Sequence, residues 1–316
     1  MAAVLLTVLA AVASAGALKT RQLFEFPSPT FIENIAVRPN GHVLATTFTD
    51  AGLYTLDPSA SNTTAKLVAR VPGKTALTGI TELYPDIFAV GAGIIDNLTF
   101  VNGSTSVWVV DFNCAGAEPV VRLAANLPQS IIVNGLATLP KARHMVLAAD
   151  SIAGAVYRID TISGTVQIAI QNDMLALGSN PAYPLGINGV EVHDGYLYLS
   201  QSAQRFFARV RISDSGDQIG EFEIIATLPR DPELVAYDDF AITGNGVAYL
   251  TAHSNTILKI PPGGNQTVFY GPGDMPYLFD PTSTALSRDE STLYIVTGGS
   301  AVRGGATGGQ IIEVRL

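Results

Sequence analysis

The stretch "GYLYLSQSAQRFFARVRIS" (Gly195–Ser213) contains two short runs rich in residues that favour β-strands, joined by a polar turn. The second run, "FARVRIS" from Phe207, alternates apolar and polar side chains, which is typical of a strand with one buried face. Similar runs recur as "GLYTLDP" from Gly52, "SVWVVDF" from Ser106, "AVYRIDT" from Ala155, "TILKIPP" from Thr256 and "QIIEVRL" from Gln310. The six runs start 54, 49, 52, 49 and 54 residues apart, so one unit of about fifty residues is repeated six times.

A second strand precedes each of these runs, as "GYLYLSQS" precedes "FARVRIS". Its counterparts are "GHVLATTF", "PDIFAVGA", "RHMVLAAD", "GVAYLTAH" and "STLYIVTG". Six such copies predict an all-β fold, a six-bladed β-propeller with four-stranded antiparallel blades. No linker rich in Pro, Gly and Ser divides the chain, so residues 16–316 are expected to form one domain. The segment "LKTRQLFEFP" is expected to add a strand to the last blade and close the ring.

The composition limits the classes of function. Of the 316 residues, 47% are hydrophobic and 14% are charged, which allows a large core and argues against disorder. The net charge is −9 and the basic residues are scattered, so we predict no nucleic-acid partner. Cys114 is the only cysteine, which excludes an intrachain disulfide and a cysteine-based metal site.

The first residues are typical of a secretory signal peptide. An apolar run ends in Ala13-Ser14-Ala15, which fits signal-peptidase cleavage before Gly16, although no Lys or Arg precedes the run. The run is short for a membrane span, so we predict a signal peptide over residues 1–15 and no membrane association. A secreted protein or one in the secretory-pathway lumen is expected. Four sequons support that route, and their predicted glycosylation sites are Asn62, Asn97, Asn102 and Asn265.

The innermost strand of each blade is expected to begin at one mouth of the central channel. When the blades are aligned, six short segments fall in register: "ENIAV", "TGITE", "NGLAT", "NGVEV", "DDFAI" and "TSTAL". Their first residues should project toward the axis, and all six carry side-chain oxygens. We call them the ring residues: Glu33, Thr78, Asn134, Asn188, Asp238 and Thr282.

The chemistry of the ring residues indicates an oxygen-liganded cation. Ca²⁺ prefers carboxylate and amide oxygens, and Glu33 with Asp238 would balance its charge. Without a cation, two carboxylates that converge on one axis would repel, and one of them would have to be protonated. The alternative is that these polar side chains only satisfy backbone groups at the starts of strands.

The set Glu33, Asn134, Asn188 and Asp238 resembles the metal-binding set of the senescence-marker-protein/gluconolactonase-like six-bladed propellers, relatives of the diisopropyl-fluorophosphatases. The resemblance covers residues 16–316, and "NGVEV" and "DDFAI" are its most specific motifs. It implies that these four residues hold a divalent cation, usually Ca²⁺, at the floor of an active site. It also implies that Asp238 or a metal-bound water is the base or nucleophile of lactone hydrolysis, and that Asn134 touches the substrate.

The chain departs from the sugar lactonases of that family at Ile132. Those enzymes place an arginine there, two residues before the asparagine that corresponds to Asn134. The predicted pocket rim is also apolar or aromatic, which suits a flat apolar ligand better than a sugar. The substrate-binding candidates are Phe31, Ile132, Tyr183, Met275, Tyr277 and Phe279.

The motifs "IENIAVRPNGHVLATTF", "VNGLATL", "PLGINGV" and "DDFAI" are most similar to a fungal branch of these secreted propellers. That branch includes hetero-Diels–Alderases of tropolone–sesquiterpenoid biosynthesis, which join an o-quinone methide to the alkene of a terpene such as humulene. The resemblance therefore implies a natural-product enzyme with apolar small-molecule substrates. Such a reaction needs no covalent nucleophile, only two partners held in near-attack geometry and a group that polarises the heterodiene oxygen.

Other catalytic motifs are absent from the sequence: there is no Gly-x-Ser-x-Gly, no His-Glu-x-x-His and no phosphate-binding glycine loop. We therefore expect no organic cofactor. His253 ends a second strand, "YLTAHSN", and is the candidate general acid or base among the four histidines. Its alternative role is structural.

Three functions stay open at this point. They are a pericyclic enzyme, a Ca²⁺-dependent lactonase or esterase, and a binding propeller without catalysis. The ring residues favour the lactonase, whereas Ile132 and the apolar rim favour the pericyclic enzyme. The sequence indicates no oligomeric state.

Overall fold

A computed structural model describes residues 18–96, 99–116, 118–179, 183–231, 234–301 and 304–316. In this part of the chain, six four-stranded antiparallel sheets follow one another around a central channel, which confirms the predicted six-bladed β-propeller. The predicted signal peptide at residues 1–15 and the predicted glycosylation site Asn97 lie outside the described residues.

The strands are, in chain order, β1 (Thr20–Pro27), β2 (Ile32–Val37), β3 (Val43–Thr47), β4 (Gly52–Leu56), β5 (Lys66–Arg70), β6 (Ala76–Tyr84), β7 (Ile87–Gly93), β8 (Ile95–Asp96), β9 (Thr99–Phe100), β10 (Ser106–Asp111), β11 (Val120–Asn126), β12 (Val133–Thr138), β13 (Met145–Asp150), β14 (Ala155–Asp160), β15 (Val166–Gln171), β16 (Ile187–His193), β17 (Tyr196–Gln201), β18 (Phe206–Ile212), β19 (Gln218–Thr227), β20 (Tyr237–Ile242), β21 (Ala248–Ala252), β22 (Thr256–Ile260), β23 (Thr267–Tyr270), β24 (Pro281–Leu286), β25 (Thr292–Thr297) and β26 (Thr307–Arg315).

The strands form blades in order from the channel outward. Blade 1 is β2–β5, blade 3 is β12–β15, blade 4 is β16–β19 and blade 5 is β20–β23. Blade 2 is β6, β7, β10 and β11, with the two-stranded hairpin β8–β9 inserted between its second and third strands. Blade 6 is β24–β26, and β1 is its outer strand.

The N-terminal strand β1 closes the ring. It pairs antiparallel with β26, with Thr20 opposite Val314, so strands from both ends of the chain share one blade. Leu23 and Phe26 of β1 are buried in a cluster that also contains Ile35 of blade 1 and Ile311 of blade 6. Because each buried apolar side chain of this size contributes roughly 1.5–3 kcal/mol, this seam holds the first and last blades together. The expected closing strand is thus confirmed.

The hydrophobic core is divided among the interfaces between blades. Leu147 of blade 3, for example, packs in one cluster with Leu197 and Leu199 of blade 4. A blade therefore buries both faces only when its neighbours are present, as in other repeat folds. No helix in the described residues is long and apolar enough to cross a membrane.

All six inner strands carry a register shift at the ring residue. In β2 the shift lies between Ile32 and Asn34, and in β20 it lies between Tyr237 and Phe240. The other four inner strands repeat it. A β-bulge inserts an extra residue and changes the direction of its side chain. The repeated bulges therefore place the ring residues in equivalent positions around the axis.

Glycine follows the ring residue in three neighbouring blades. A Cβ on Gly79 would lie 2.2 Å from the carbonyl oxygen of Asn134, and a Cβ on Gly135 would lie 2.7 Å from that of Asn188. A Cβ on Gly189 would lie 2.1 Å from Oδ1 of Asp239. Only glycine permits this close approach of backbones, so blades 2, 3 and 4 pack tightly around the axis.

Candidate active site

A cavity of about 830 Å³ opens at the end of the channel where the inner strands begin. Loops that precede inner strands and follow second strands supply its walls. Phe31 directly precedes β2, and Phe48 directly follows β3. The inserted hairpin β8–β9 adds Ile95 and Phe100. This cavity is the candidate active site.

Three phenylalanines form the wall on blades 1 and 2, which we call the aromatic wall. Phe31 and Phe48 are stacked with ring centroids 5.0 Å apart, and Phe48 meets Phe100 edge-on at 5.6 Å. The Phe31 ring lies against the backbone of blade 6, where a Cβ on Gly298 would come 2.2 Å from it. Gly298 therefore makes the space that Phe31 occupies.

Branched aliphatic side chains from blade 3 and the segment leading into blade 4 form the facing wall, which we call the aliphatic wall. Its residues are Ile131, Ile132, Ile152, Leu177 and Leu185. The segment that carries Leu177 follows a short 3₁₀ helix at Asp173–Leu175, whose start is capped by the side chain of Asn172. Gln201 donates hydrogen bonds to the carbonyl oxygens of Met174 and Ala176, so this part of the wall is anchored to blade 4.

The polar floor of the cavity consists of the ring residues of blades 1, 3 and 5, namely Glu33, Asn134 and Asp238. All three are at least 94% buried. The fourth predicted metal ligand, Asn188, does not line the cavity: it is fully buried and donates from Nδ2 to Ser202. Its Oδ1 has no hydrogen-bond partner among the described residues.

His253 lies behind the floor, directly after β21, and makes three polar contacts. Its Nε2 is 2.9 Å from Oδ2 of Asp238 and 2.5 Å from the hydroxyl oxygen of Tyr183. Its Nδ1 is 2.8 Å from Oδ1 of Asp280. The rings of His253 and Tyr183 are also stacked, with centroids 4.9 Å apart. The imidazole therefore joins Tyr183, which lines the cavity, to two carboxylates.

The carboxylates of Asp238 and Asp280 determine the charge of the His253 imidazole. Burial opposes a charge on His253, but hydrogen bonds to Asp238 and Asp280 outweigh that effect and raise the pKa of His253 to about 10. Burial, followed by the negative charges of Asp238 and Asp239, raises the pKa of Glu33 well above its ordinary value. At neutral pH the floor thus contains an imidazolium held by two carboxylates, next to a Glu33 carboxyl whose neutral form is favoured by burial.

Three predicted substrate-binding residues lie outside the lining of this cavity. Met275 is 71% exposed, and neither it nor Tyr277 nor Phe279 lines the cavity. Their segment is held against blade 6 because Gln310 bonds both the Tyr277 carbonyl and the Phe279 amide, at 3.1 and 3.0 Å. The remaining candidates, Phe31, Ile132 and Tyr183, do line the cavity.

The predicted glycosylation sites that the structure describes all lie on the surface. Asn62, Asn102 and Asn265 are exposed in loops. Exposure is necessary for glycosylation but does not show it, so modification and secretion both stay predictions.

Sequence reasoning missed Asp280, Phe48 and the hairpin β8–β9. Phe48 occupies the same position after its second strand as His253, so the blade alignment that singled out His253 could have found it. Asp280 directly precedes β24, but only the folded chain shows its contact with His253. The hairpin interrupts the repeat, and no periodic signal marks it.

Known proteins were compared with the chain and with its fold. No protein-family model matches the chain. Two curated relatives cover 88% of it: "Putative hetero-Diels-Alderase" of Phoma sp, 26% identical with 86% of that protein covered, and "Putative hetero-Diels-Alderase asR5" of Sarocladium schorii, 27% identical with 77% covered. The chain is similar to both.

Solved structures agree on the fold. A luciferin-regenerating enzyme matches with a TM-score of 0.68 and 14% identity, covering 95% of both chains. The calcium-binding protein regucalcin of Agrobacterium tumefaciens matches with a TM-score of 0.64 and 15% identity, covering 94% of this chain and 93% of that one. A gluconolactonase of Xanthomonas campestris matches with a TM-score of 0.63 and 12% identity, covering 95% and 90%. The fold is that of the gluconolactonase-like propellers. Together with the two curated relatives, this confirms the resemblance predicted from the sequence motifs.

Proposed function

We propose that the chain is a hetero-Diels–Alderase that joins an o-quinone methide of the tropolone or polyketide type to a terpene alkene such as humulene. The observation that carries the proposal is the cavity of about 830 Å³, whose walls are almost entirely aromatic and aliphatic. Its volume is near the upper end of the roughly 300–1,000 Å³ of ligand pockets. The names of the curated relatives support the same reaction class.

The reaction demands little covalent chemistry from the protein. The carbonyl oxygen and the exocyclic methylene carbon of the quinone methide add across the alkene, forming one C–O and one C–C bond. No atom leaves and no proton is transferred. The cavity contributes by bringing the two partners together in reactive geometry, which lowers the entropic part of the barrier. It also excludes water, which would otherwise add to the quinone methide.

Hydrogen-bond donors at the floor would polarise the quinone-methide oxygen. The amide of Asn134 and the hydroxyl of Tyr183 belong to the cavity lining, and the imidazolium of His253 contacts the Tyr183 oxygen. A donor fixed in a water-poor cavity stabilises the charge that develops on this oxygen more strongly than water does. Asn134, Tyr183 and His253 are therefore the residues to which we assign the electrostatic part of catalysis.

The proposal is tested with purified protein, an o-quinone methide generated in situ from its hydroxymethyl precursor, and humulene. We expect faster adduct formation than in buffer and one predominant stereoisomer, measured by chiral chromatography. Heat-denatured protein serves as the control. A product ratio equal to that of the uncatalysed reaction would rule the function out.

A Ca²⁺-dependent lactonase is the second candidate, and one observation favours it. The buried Oδ1 of Asn188 has no hydrogen-bond partner among the described residues, as expected of an oxygen that binds a cation. Glu33, Asn134, Asn188 and Asp238 fit Ca²⁺ by donor type and would hold it, and the ion would polarise a lactone carbonyl. Against this candidate, the imidazolium of His253 already counters the charge of Asp238.

Three measurements of metal dependence separate the candidates. For the lactonase, Ca²⁺ should raise the melting temperature, and EDTA should abolish hydrolysis of a sugar lactone. For the hetero-Diels–Alderase, the rate of adduct formation with EDTA should stay within about twofold of the rate without EDTA. Binding of humulene without turnover in either assay would leave a ligand-binding propeller.

A further inference from the structure

We infer that the cavity is divided into two subsites, an aromatic one on blades 1 and 2 for a planar conjugated ring and an aliphatic one on blades 3 and 4 for a non-planar alkene. The inference rests on the proposed function and assigns each substrate class to one wall. It is carried by the uneven distribution of side chains around the cavity: all three lining phenylalanines lie on blades 1 and 2, with Ile95 beside them, whereas blade 3 and the segment before blade 4 supply three Ile and two Leu side chains, with Tyr183 beside them.

The aromatic wall offers stacking faces that are already fixed. Phe31 and Phe48 are nearly parallel, with 13° between their planes, and Phe100 closes on Phe48 at 80°. A planar ring is recognised by such faces through offset or edge-on contact, worth about 0.5–1.5 kcal/mol per pair beyond the buried area. Since Phe31 is held by the backbone at Gly298, little conformational entropy is lost when a ring stacks there.

The aliphatic wall suits a ligand without a flat face. Ile132 is 5% exposed, and Leu177 and Leu185 come from the chain between β15 and β16. Branched side chains contact an irregular hydrocarbon by dispersion and by removing its surface from water, without directional demands. Blade 1 lies opposite blade 4 in a six-bladed ring, so Phe31 and Phe48 face the segment that carries Leu177 and Leu185, whereas Phe100 lies on blade 2, next to blade 3.

The hydrogen-bond donors of the cavity come from the same part of the ring as the aliphatic wall and therefore lie across from Phe31 and Phe48. Asn134 is at the floor on blade 3 and Tyr183 enters from the segment before blade 4, while His253 stands behind Tyr183 on blade 5. A quinone methide stacked on the aromatic wall would direct its oxygen toward these donors and its methylene carbon toward the alkene. The division therefore sets which faces of the two partners meet, and with them the stereochemistry of the adduct.

The inference is tested by measuring the binding of each partner alone, with tropolone as an unreactive planar probe and humulene as the alkene probe. The variants are Phe100→Leu, which keeps an apolar side chain but removes the aromatic face, and Leu185→Ala. Phe100 lies on the inserted hairpin rather than in a blade core, and Leu185 is half-buried, so both variants should fold. Ile168→Ala, on an exposed outer strand, is the control.

We expect Phe100→Leu to weaken tropolone binding about fivefold and to leave humulene binding within twofold. Leu185→Ala should weaken humulene binding about fivefold and leave tropolone binding within twofold. If each variant weakens both probes equally, or if the control has the same effect, the cavity is undivided and the inference is overturned. That result is distinct from failure of the proposed function, in which the wild-type protein binds both probes selectively yet forms no adduct.

Discussion

The two ends of the central channel are built by the same six inner strands but differ in size and chemistry. At the end where the strands begin, the cavity of about 830 Å³ has apolar walls, and its charged side chains, Asp238, His253 and Asp280, lie together in or behind the floor. At the other end, a cavity of about 280 Å³ is lined by inner-strand residues that include Glu82, Glu191 and Asp239. The connections of the inner strands differ between the ends: β16 follows residues 172–186 at the first end, whereas residues 194–195 alone join it to β17 at the second.

Between the two ends, the residue that directly follows the ring residue is glycine in blades 2, 3 and 4 and polar in blades 1, 5 and 6. The polar residues are Asn34, Asp239 and Ser283. Asn34 donates to Asp239 at 2.5 Å, and Ser283 donates to Asn34 at 3.1 Å. At the end of the channel opposite the candidate active site, Arg288 donates a hydrogen bond to Glu82 at 2.8 Å. Hydrogen bonds and an ion pair within the protein thus join polar side chains from different blades here, whereas the walls of the first end are mostly apolar. The difference supports the proposal that the first end binds the ligand and the second stabilises the ring.

The largest effect is expected at His253. The change His253→Gln removes the buried positive charge that bonds Asp238 and Asp280, so the free energy of unfolding should fall by about 3–5 kcal/mol. Because the pKa of His253 is raised in the folded protein, this contribution is complete below pH 6.5 and is lost as the pH rises through about 10. Denaturant unfolding at pH 6 and pH 10 measures it. His42→Gln is the control. If His253→Gln and His42→Gln were equally stable at pH 6, the positive charge assigned to His253 would be wrong.

A somewhat smaller effect is expected at Ile132. The change Ile132→Arg places a charge in the apolar cavity, where burial without a partner is unfavourable. Adduct formation should fall about 100-fold, equivalent to about 2.7 kcal/mol. Leu286→Arg introduces the same charge at the opposite end, beside its carboxylates, and should leave the rate within twofold. Equal losses from both variants would remove the functional distinction between the ends.

The smallest effect is expected at Glu191. Burial, followed by the charge of Asp239, raises the pKa of Glu191 to about 8, so this carboxyl is protonated in the folded protein at neutral pH. Between pH 4.5 and 8 the folded protein keeps this proton while the unfolded chain loses it. The free energy of unfolding therefore falls as the pH rises from about 4.5 to 8. Glu191→Gln should stabilise the protein by about 2 kcal/mol at pH 8 and have little effect at pH 4. Thermal unfolding at pH 4 and pH 8 measures the stability of the variant, and Glu221→Gln at an exposed position is the control. If Glu191→Gln stabilised the protein equally at both pH values, the pKa of Glu191 would not be raised.

The sequence was sufficient for the parts of the molecule that repeat. The period of the third strands predicted the blades, and the common offset of Glu33, Asn134 and Asp238 placed them together on the floor of one cavity. Loops were predicted less well because their positions depend on contacts between distant residues. The segment Met275–Phe279 was placed at the rim, yet Gln310 of β26 holds it elsewhere. The inserted hairpin β8–β9 has no counterpart in the other blades, so no alignment of repeats could assign Phe100 to the wall.

The central claim is that the apolar end of the channel holds both reaction partners. A crystal structure of the protein with the purified cycloadduct tests it most directly. We predict density for the adduct in the cavity of about 830 Å³, with its aromatic part on Phe31, Phe48 and Phe100 and its terpene part on Ile132 and Leu185. An adduct bound at the opposite end, or on the outer surface of the blades, would contradict the account.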